Sequence, residues 1–363
     1  MAYTNIDDPS AHFQTALWTG TNAKDKVITN DGNSDLQPDW IWAKSRTSTS
    51  YTDNHFSVDS SRGRLKGLVQ NDTSAETTTT GNATQQAERD LQSFDTDGFT
   101  VGIVNSTAAL NASSASHVAW QWKANGGSTS TDTTSSITST VQVNSDAGFS
   151  IVTYTGDGTT TGGFGHGLGV APKVVFVKRR NGAANWCVYH ESIGAGFYLQ
   201  LDTTAAQQSG PWQNLAPSST TVIVYGGNLV NGSGDTYVAY CFAEKQGYSK
   251  FGKYVGNSST DGPFVYTGFK PAFVLQKQTS GSGNGWFITD SKRDPFNAAT
   301  MKYLRADENG SEGTTTKILD LLSNGFKLRN NDSALNGSGH TYIYMAFAEN
   351  PFVTSTGVPA CAR

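Results

Sequence analysis

Residues 231–244, Asn-Gly-Ser-Gly-Asp-Thr-Tyr-Val-Ala-Tyr-Cys-Phe-Ala-Glu, recur without gaps at 336–349 as Asn-Gly-Ser-Gly-His-Thr-Tyr-Ile-Tyr-Met-Ala-Phe-Ala-Glu, sharing the Asn-Gly-Ser-Gly-x-Thr-Tyr opening. A looser copy stands at 111–123 as Asn-Ala-Ser-Ser-Ala-Ser-His-Val-Ala-Trp-Gln-Trp-Lys. In each copy a small polar turn precedes a run of aromatic and β-branched residues, the signature of a strand. Self-similarity at a fixed order points to a fold built from repeated units.

Working outward, other short segments recur in the same order. Trp18-Thr-Gly20, Tyr154-Thr-Gly156 and Tyr254-Val-Gly256 open the units. A proline, an apolar run and a lysine follow, as Pro38–Lys44, Pro172–Lys178 and Pro271–Lys277. Phe94-Asp-Thr-Asp-Gly98-Phe99 and Leu321-Leu-Ser-Asn-Gly325-Phe326 form a fourth pair, which the middle unit lacks. The pattern gives unit one within 1–124 (repeat from about residue 10), unit two at 149–248 and unit three at 249–352. Unit one carries a polar insertion around 74–87. Residues 125–148 read as a Gly/Ser/Thr-rich linker, flexible or extended, and 353–363 as a tail.

Strand-like runs such as Val174–Val177, Trp186–Tyr189, Phe197–Leu201, Val222–Tyr225 and Tyr237–Phe242 recur every 10–15 residues or so, the spacing of a sandwich or barrel. Only 87–93 and 315–323 offer short helices. The fold class is therefore all-β: three tandem antiparallel β-sandwich modules, jelly-roll-like, arising from an internal repeat.

Composition agrees. The chain has 363 residues, 36% of them hydrophobic and 15% charged. With glycine the apolar share reaches about 47%, enough to build cores. The net charge of −4 disfavours nucleic-acid partners and anionic membrane surfaces, which require a basic face. No apolar run reaches membrane-span length, and the first residues show no signal peptide, so membrane insertion is not expected. Cys187, Cys241 and Cys361 are widely spaced, with no CxxC, and read as small hydrophobes rather than a zinc or disulfide framework.

No catalytic motif stands out. The six histidines (His12, His55, His117, His166, His190 and His340) lie at no metal-ligand spacing. His117 aligns with Tyr237 and Tyr342, so that position calls for an aromatic-sized side chain. The glycine runs at 162–169 and 281–285 suit hairpins. Asp95/Asp97 and Asp307/Glu308 are the nearest paired carboxylates, but the first pair flanks a turn that favours Asp for local hydrogen bonding. Catalytic residues, cofactors and metal sites are accordingly expected to be none. Trp18, Trp40, Trp42, Trp120, Trp122, Trp186 and Trp286 are assigned to cores. Trp212, in a loop of the middle unit with no counterpart, is the candidate for receptor or interface contact.

The segments IDDPSAHFQT, NSDLQPDWIWAK, SFDTDGF and HVAWQWKANGG, with HGLGVAPKVVFVK, GYSKFGKYVGN, DGPFVYTGF and LSNGFKLRN further on, resemble structural proteins of tailed bacteriophages, marine ones in particular. HGLG-x-x-P in an all-β chain is similar to modules of tail-fibre and adhesin proteins. The resemblance implies a non-enzymatic virion protein synthesised in the cytoplasm of a bacterial host. It further implies a tail-fibre adhesin contacting a surface glycan or protein receptor, held by other virion proteins, and by analogy a homotrimer. The alternatives are a capsid decoration or head-fibre protein and, third, a polysaccharide-degrading tailspike.

Overall fold

The computed structural model describes residues 3–49, 51, 53–79, 83–104, 110–316 and 318–359. It is almost entirely β-structure in antiparallel sheets. Three large sheets carry six, eight and six strands, and three small ones carry three, two and three.

Corresponding strands pair alike in the three stretches. The strand Phe13–Thr19 lies against Ser116–Trp122, Phe149–Thr155 against Thr236–Phe242, and Ser249–Val255 against Thr341–Pro351. On its other side each closing strand pairs with the strand of the Pro…Lys segment: Trp40–Ser45, Val174–Arg179 or Phe269–Gln278. The glycines that end the opening motifs are required by a close approach. A Cβ on Gly20, Gly156 or Gly256 would lie 2.0, 2.4 or 2.3 Å from the carbonyl oxygen of Ala112, Gly232 or Gly337. The neighbouring Asn111, Asn231 and Asn336 pin that turn by accepting from the backbone N–H of Thr21, Asp157 and Asn257.

The closing strands are apolar on both faces, and the packing shows why. Tyr237, Ala239 and Cys241 face the small sheet of their own unit, while Val238, Tyr240 and Phe242 face a core shared by all three units. The first and third units do the same, with Val118, Trp120 and Trp122 and with Ile343, Met345 and Phe347 on the shared side. At its middle Trp122, Phe242 and Phe347 form a triangle with ring centroids 6.2, 5.6 and 5.8 Å apart. The units are thus a closed cycle around one core, rather than a string of separate modules.

Polar groups seal the three junctions in the same rotational sense. Trp186 Nε1 donates to Val69 O (2.7 Å), Trp286 Nε1 to Gln200 O (2.8 Å) and His55 Nε2 to Arg305 O (2.9 Å). The lysine of each Pro…Lys segment is buried and reaches a neighbour's carbonyl: Lys178 to Thr73 O (2.9 Å), Lys277 to Thr204 O (3.2 Å) and Lys44 to Asn309 O (3.2 Å). Two junctions add buried ion networks. Glu76 binds Arg180 and Arg62, with Arg62 also on Asp59; Glu312 likewise binds Arg46 and Arg293, with Arg293 on Asp290. The third junction places Gln207 against Thr279 through their backbones and His190 Nε2 on Tyr344 O, with no such network among the described residues.

Three local expectations differ from the structure. The stretch 125–148 holds two strands, Ser130–Asp132 and Ser139–Asn144, that extend the second unit's sheet. Buried Asp39 fixes this stretch to unit one, accepting from the backbone N–H of Ala124, Gly126 and Gly127 and from Gln142 Nε2. Residues 319–322 form a strand, not a helix, because pairing with Gly325–Leu328 and burial of Leu319 and Leu321 override local propensity. Leu91–Asp95 is also a strand, and the helix there is Ala83–Glu88, inside the polar insertion. Residues 80–82 of that insertion and Cys361 lie outside the described residues.

Candidate contact surface

The middle unit's distinctive loop begins at Gly210-Pro211-Trp212. Gly210 N–H donates to Gly196 O (3.2 Å), and Tyr225 N–H donates to Pro211 O (2.8 Å), so three segments are tied together. Trp212 itself is only 1% exposed. Its indole meets Tyr189 edge to face, centroids 5.8 Å apart, inside the second unit's core. The expected direct contact of Trp212 with a receptor is therefore corrected: the ring is a buried anchor, held there by its large apolar area.

The chain after the anchor is strained. Gln213 and Asn214 adopt consecutive left-handed conformations, φ 54° and 58°. Asn tolerates this region, but Gln does so at a cost. The turn closes by Leu215 N–H donating to Trp212 O (2.8 Å). Its result is that Leu215 stands 51% exposed, with Tyr225 at 47% and Phe197 at 38% on the tied segments. Leu215, Tyr225 and Phe197 are thus exposed on segments tied by backbone hydrogen bonds to the Trp212 loop. Sequence reading found the loop through its unmatched tryptophan, but missed these three because Phe197 and Tyr225 sit in ordinary strand-like runs.

The other candidates are occupied by structural work. Asp95 accepts from Ser93 and Thr100, Asp97 from the Leu36 N–H, and Asp307 from the Trp286 N–H while pairing with Arg305. Glu308 also pairs with Arg305. His55 is fixed as the Nε2–H tautomer: its Nδ1 accepts from Trp42 Nε1 and its Nε2 donates to Arg305 O. Burial, with Lys44 nearby, keeps it neutral by pushing its pKa well below the usual value. His117 stacks on Trp18 (5.1 Å) and burial lowers its pKa to about 4. Cys187 and Cys241 are buried in the second unit, where desolvation raises both thiols, Cys241 to about 12. Among the described residues no three His, Cys, Asp or Glu side chains converge as metal ligands. No helix among them is long and apolar enough to cross a membrane.

The fold is that of an all-β protein whose antiparallel sheets pack as sandwiches around a shared core. The chain belongs to the family DUF7483, a domain of unknown function, which matches residues 8–351. That span takes in all three units, ending with the last strand of the third. No curated protein and no solved structure matches the chain.

Proposed function

We infer that this protein is a non-enzymatic structural protein of a tailed-phage virion, acting as a tail-fibre adhesin on the host cell surface. The observation that carries the reading is the Trp212 loop: strained backbone after a buried anchor, with Leu215, Tyr225 and Phe197 exposed on the tied segments. Strain of this kind collects at binding sites, and exposed apolar side chains suit a receptor interface. Copies grouped on one particle would multiply weak loop contacts into firm attachment. The resemblance of the sequence to phage structural proteins supports the setting.

The test is binding of fluorescently labelled protein to host cells, with protein-stripped capsids in parallel. The expected result is cell staining that falls about tenfold in the double variant Leu215→Ser, Tyr225→Ser, with an unchanged melting temperature. Saturable binding to capsids without cell staining would overturn the adhesin in favour of a capsid decoration protein. Degradation of host polysaccharide by the purified protein would favour the tailspike.

A further inference from the structure

The three opening strands differ in what covers their outer edge. Lys123 N–H donates to His12 O and Gly20 N–H to Ala115 O, so even-numbered residues of Phe13–Thr19 bond inward to Ser116–Trp122. The N–H and C=O groups of Phe13, Thr15 and Leu17 therefore point away from the sheet. The same phase holds in the second unit, where Ala243 N–H donates to Gly148 O and Gly156 N–H to Asp235 O. There the outward groups of Phe149, Ile151 and Thr153 are taken up by the strand Ser139–Asn144. That added strand also touches the neighbouring unit: Gln142 Oε1 accepts from Ser60 and Ser61 of unit one.

In the third unit the edge of Ser249–Val255 has no added strand among the described residues, but it carries Lys250 and Lys253, the usual guard against edge pairing. Among the described residues the first unit has neither protection. Its opening strand reads Phe-Gln-Thr-Ala-Leu-Trp-Thr, with no charge and no proline, and is the last strand on its side of the sheet. Beside its first residues, Phe13–Thr15, lies an open groove of about 570 Å³, walled also by the loop at Gly32 and by Ala272 and Lys292 of unit three, with Lys292 paired to Asp31 of unit one. This is the position that Ser139–Asn144 fills one junction away, between the loop at Gly167 and Ser60/Ser61. The hydroxyl of Thr15, in the groove wall, is buried without a hydrogen-bond partner among the described residues.

We propose that the outer edge of Phe13–Thr19, at the groove between units one and three, accepts an extended, uncharged strand from another protein chain. Main-chain hydrogen bonds to Phe13, Thr15 and Leu17 supply the affinity, and alternate side chains enter the groove. The preferred occupant has the character of Ser-Thr-Val-Gln-Val-Asn at 139–144, alternating β-branched and polar residues. Only the naming of that partner as a neighbouring virion protein rests on the adhesin reading.

The probe is a fluorescein-labelled peptide copying residues 137–146, titrated into the full-length protein and read by anisotropy. Saturable micromolar binding is expected, weakened at least tenfold by Thr15→Pro, which removes an outward N–H, a change edge strands tolerate. Leu17→Lys, which installs the charge that Lys253 carries in unit three, is expected to do the same, and either variant suffices if the other fails to fold. Absence of binding, or binding equal in both variants, would overturn the proposal; the latter would mean exchange with the chain's own strand. A dimer that Thr15→Pro dissolves would also overturn it, in favour of a second copy as occupant. Cell staining by the Thr15→Pro protein is expected to be unchanged, which separates failure of this proposal from failure of the adhesin reading.

Discussion

Lys44, Lys178 and Lys277 have ammonium groups bonded to backbone carbonyls, two each, at the seams between units. Burial disfavours the charged form and lowers each to about 8. An unfolded lysine titrates near 10.4. Between pH 8 and 10 the unfolded chain thus holds lysine protons that the folded chain has lost, so the three lysines raise stability with pH across that window, partly offset by Cys187 and Cys241, whose raised thiols keep protons that the unfolded chain loses. The thermal midpoint is expected to climb a few degrees from pH 8 to 10. Above pH 10 the trend reverses, because burial raises Tyr154, Tyr240 and Tyr254 well above their usual value and the unfolded chain loses those protons first. The triple variant Lys44→Met, Lys178→Met, Lys277→Met removes the rising limb, as calorimetry at stepped pH would show.

At the scale of elements, the three junctions share backbone geometry but not chemistry. Glu76 N–H, Gln207 N–H and Glu312 N–H donate to the carbonyls of Arg180, Thr279 and Arg46. Only the glutamates carry ion networks. Burial alone would raise Glu76, but Arg180 and Arg62 hold it below the ordinary carboxylate range; Arg46 and Arg293 do the same for Glu312. Glu76→Gln leaves a buried Arg62 short of a partner, and a cost of about 3–5 kcal/mol is expected from denaturant unfolding. Gln207→Ala at the third junction is expected to cost under about 1 kcal/mol, as for an ordinary polar surface site. The contribution of the two networks is present above pH 4.5 or so and is lost as pH falls through the lowered carboxylate values. A single ring-nitrogen bond is smaller, and Trp186→Phe should cost about 2–4 kcal/mol from the lost bond to Val69 O plus the cavity.

At the scale of the whole molecule, the shared core makes the units interdependent. Unit two alone would expose Trp186, Tyr240 and Phe242, all buried in the intact chain. Calorimetry of the full protein is expected to show one cooperative transition, and the fragment 125–248 to be unfolded or aggregated by circular dichroism and light scattering. Two or three independent transitions would show that the common core is weaker than its burial implies. The family match over 8–351, covering all three units together, accords with a domain that is not divisible.

Much of this was legible in the residues. Alternation, turn residues and recurring motifs were sufficient for the all-β class and for the strands that open and close each unit, since period-2 patterning and glycine requirements are local. The apolar character of Val118–Trp122 and Ile343–Phe347 on both faces was also visible, but its cause was not: the second face is buried by neighbouring units, a long-range fact. The lysine ending each Pro…Lys run is plain in the sequence, yet the seam it bridges exists only once the cycle closes. Residues 125–148 looked like a linker because Gly, Ser and Thr carry little apolar signal. Asp39, some 85 residues away from Ala124, orders that stretch through hydrogen bonds no local window contains. Trp212 marks a loop of the middle unit, but the ring itself is buried because it packs against Tyr189 in the unit's core, a contact the loop's composition does not reveal. By itself the sequence determined the strands that open and close each unit, their turns and the need for small residues where backbones meet. Which faces became interior, which charges were buried as pairs and which sheet edge stayed open was decided by tertiary closure, because those depend on groups brought together from distant parts of the chain.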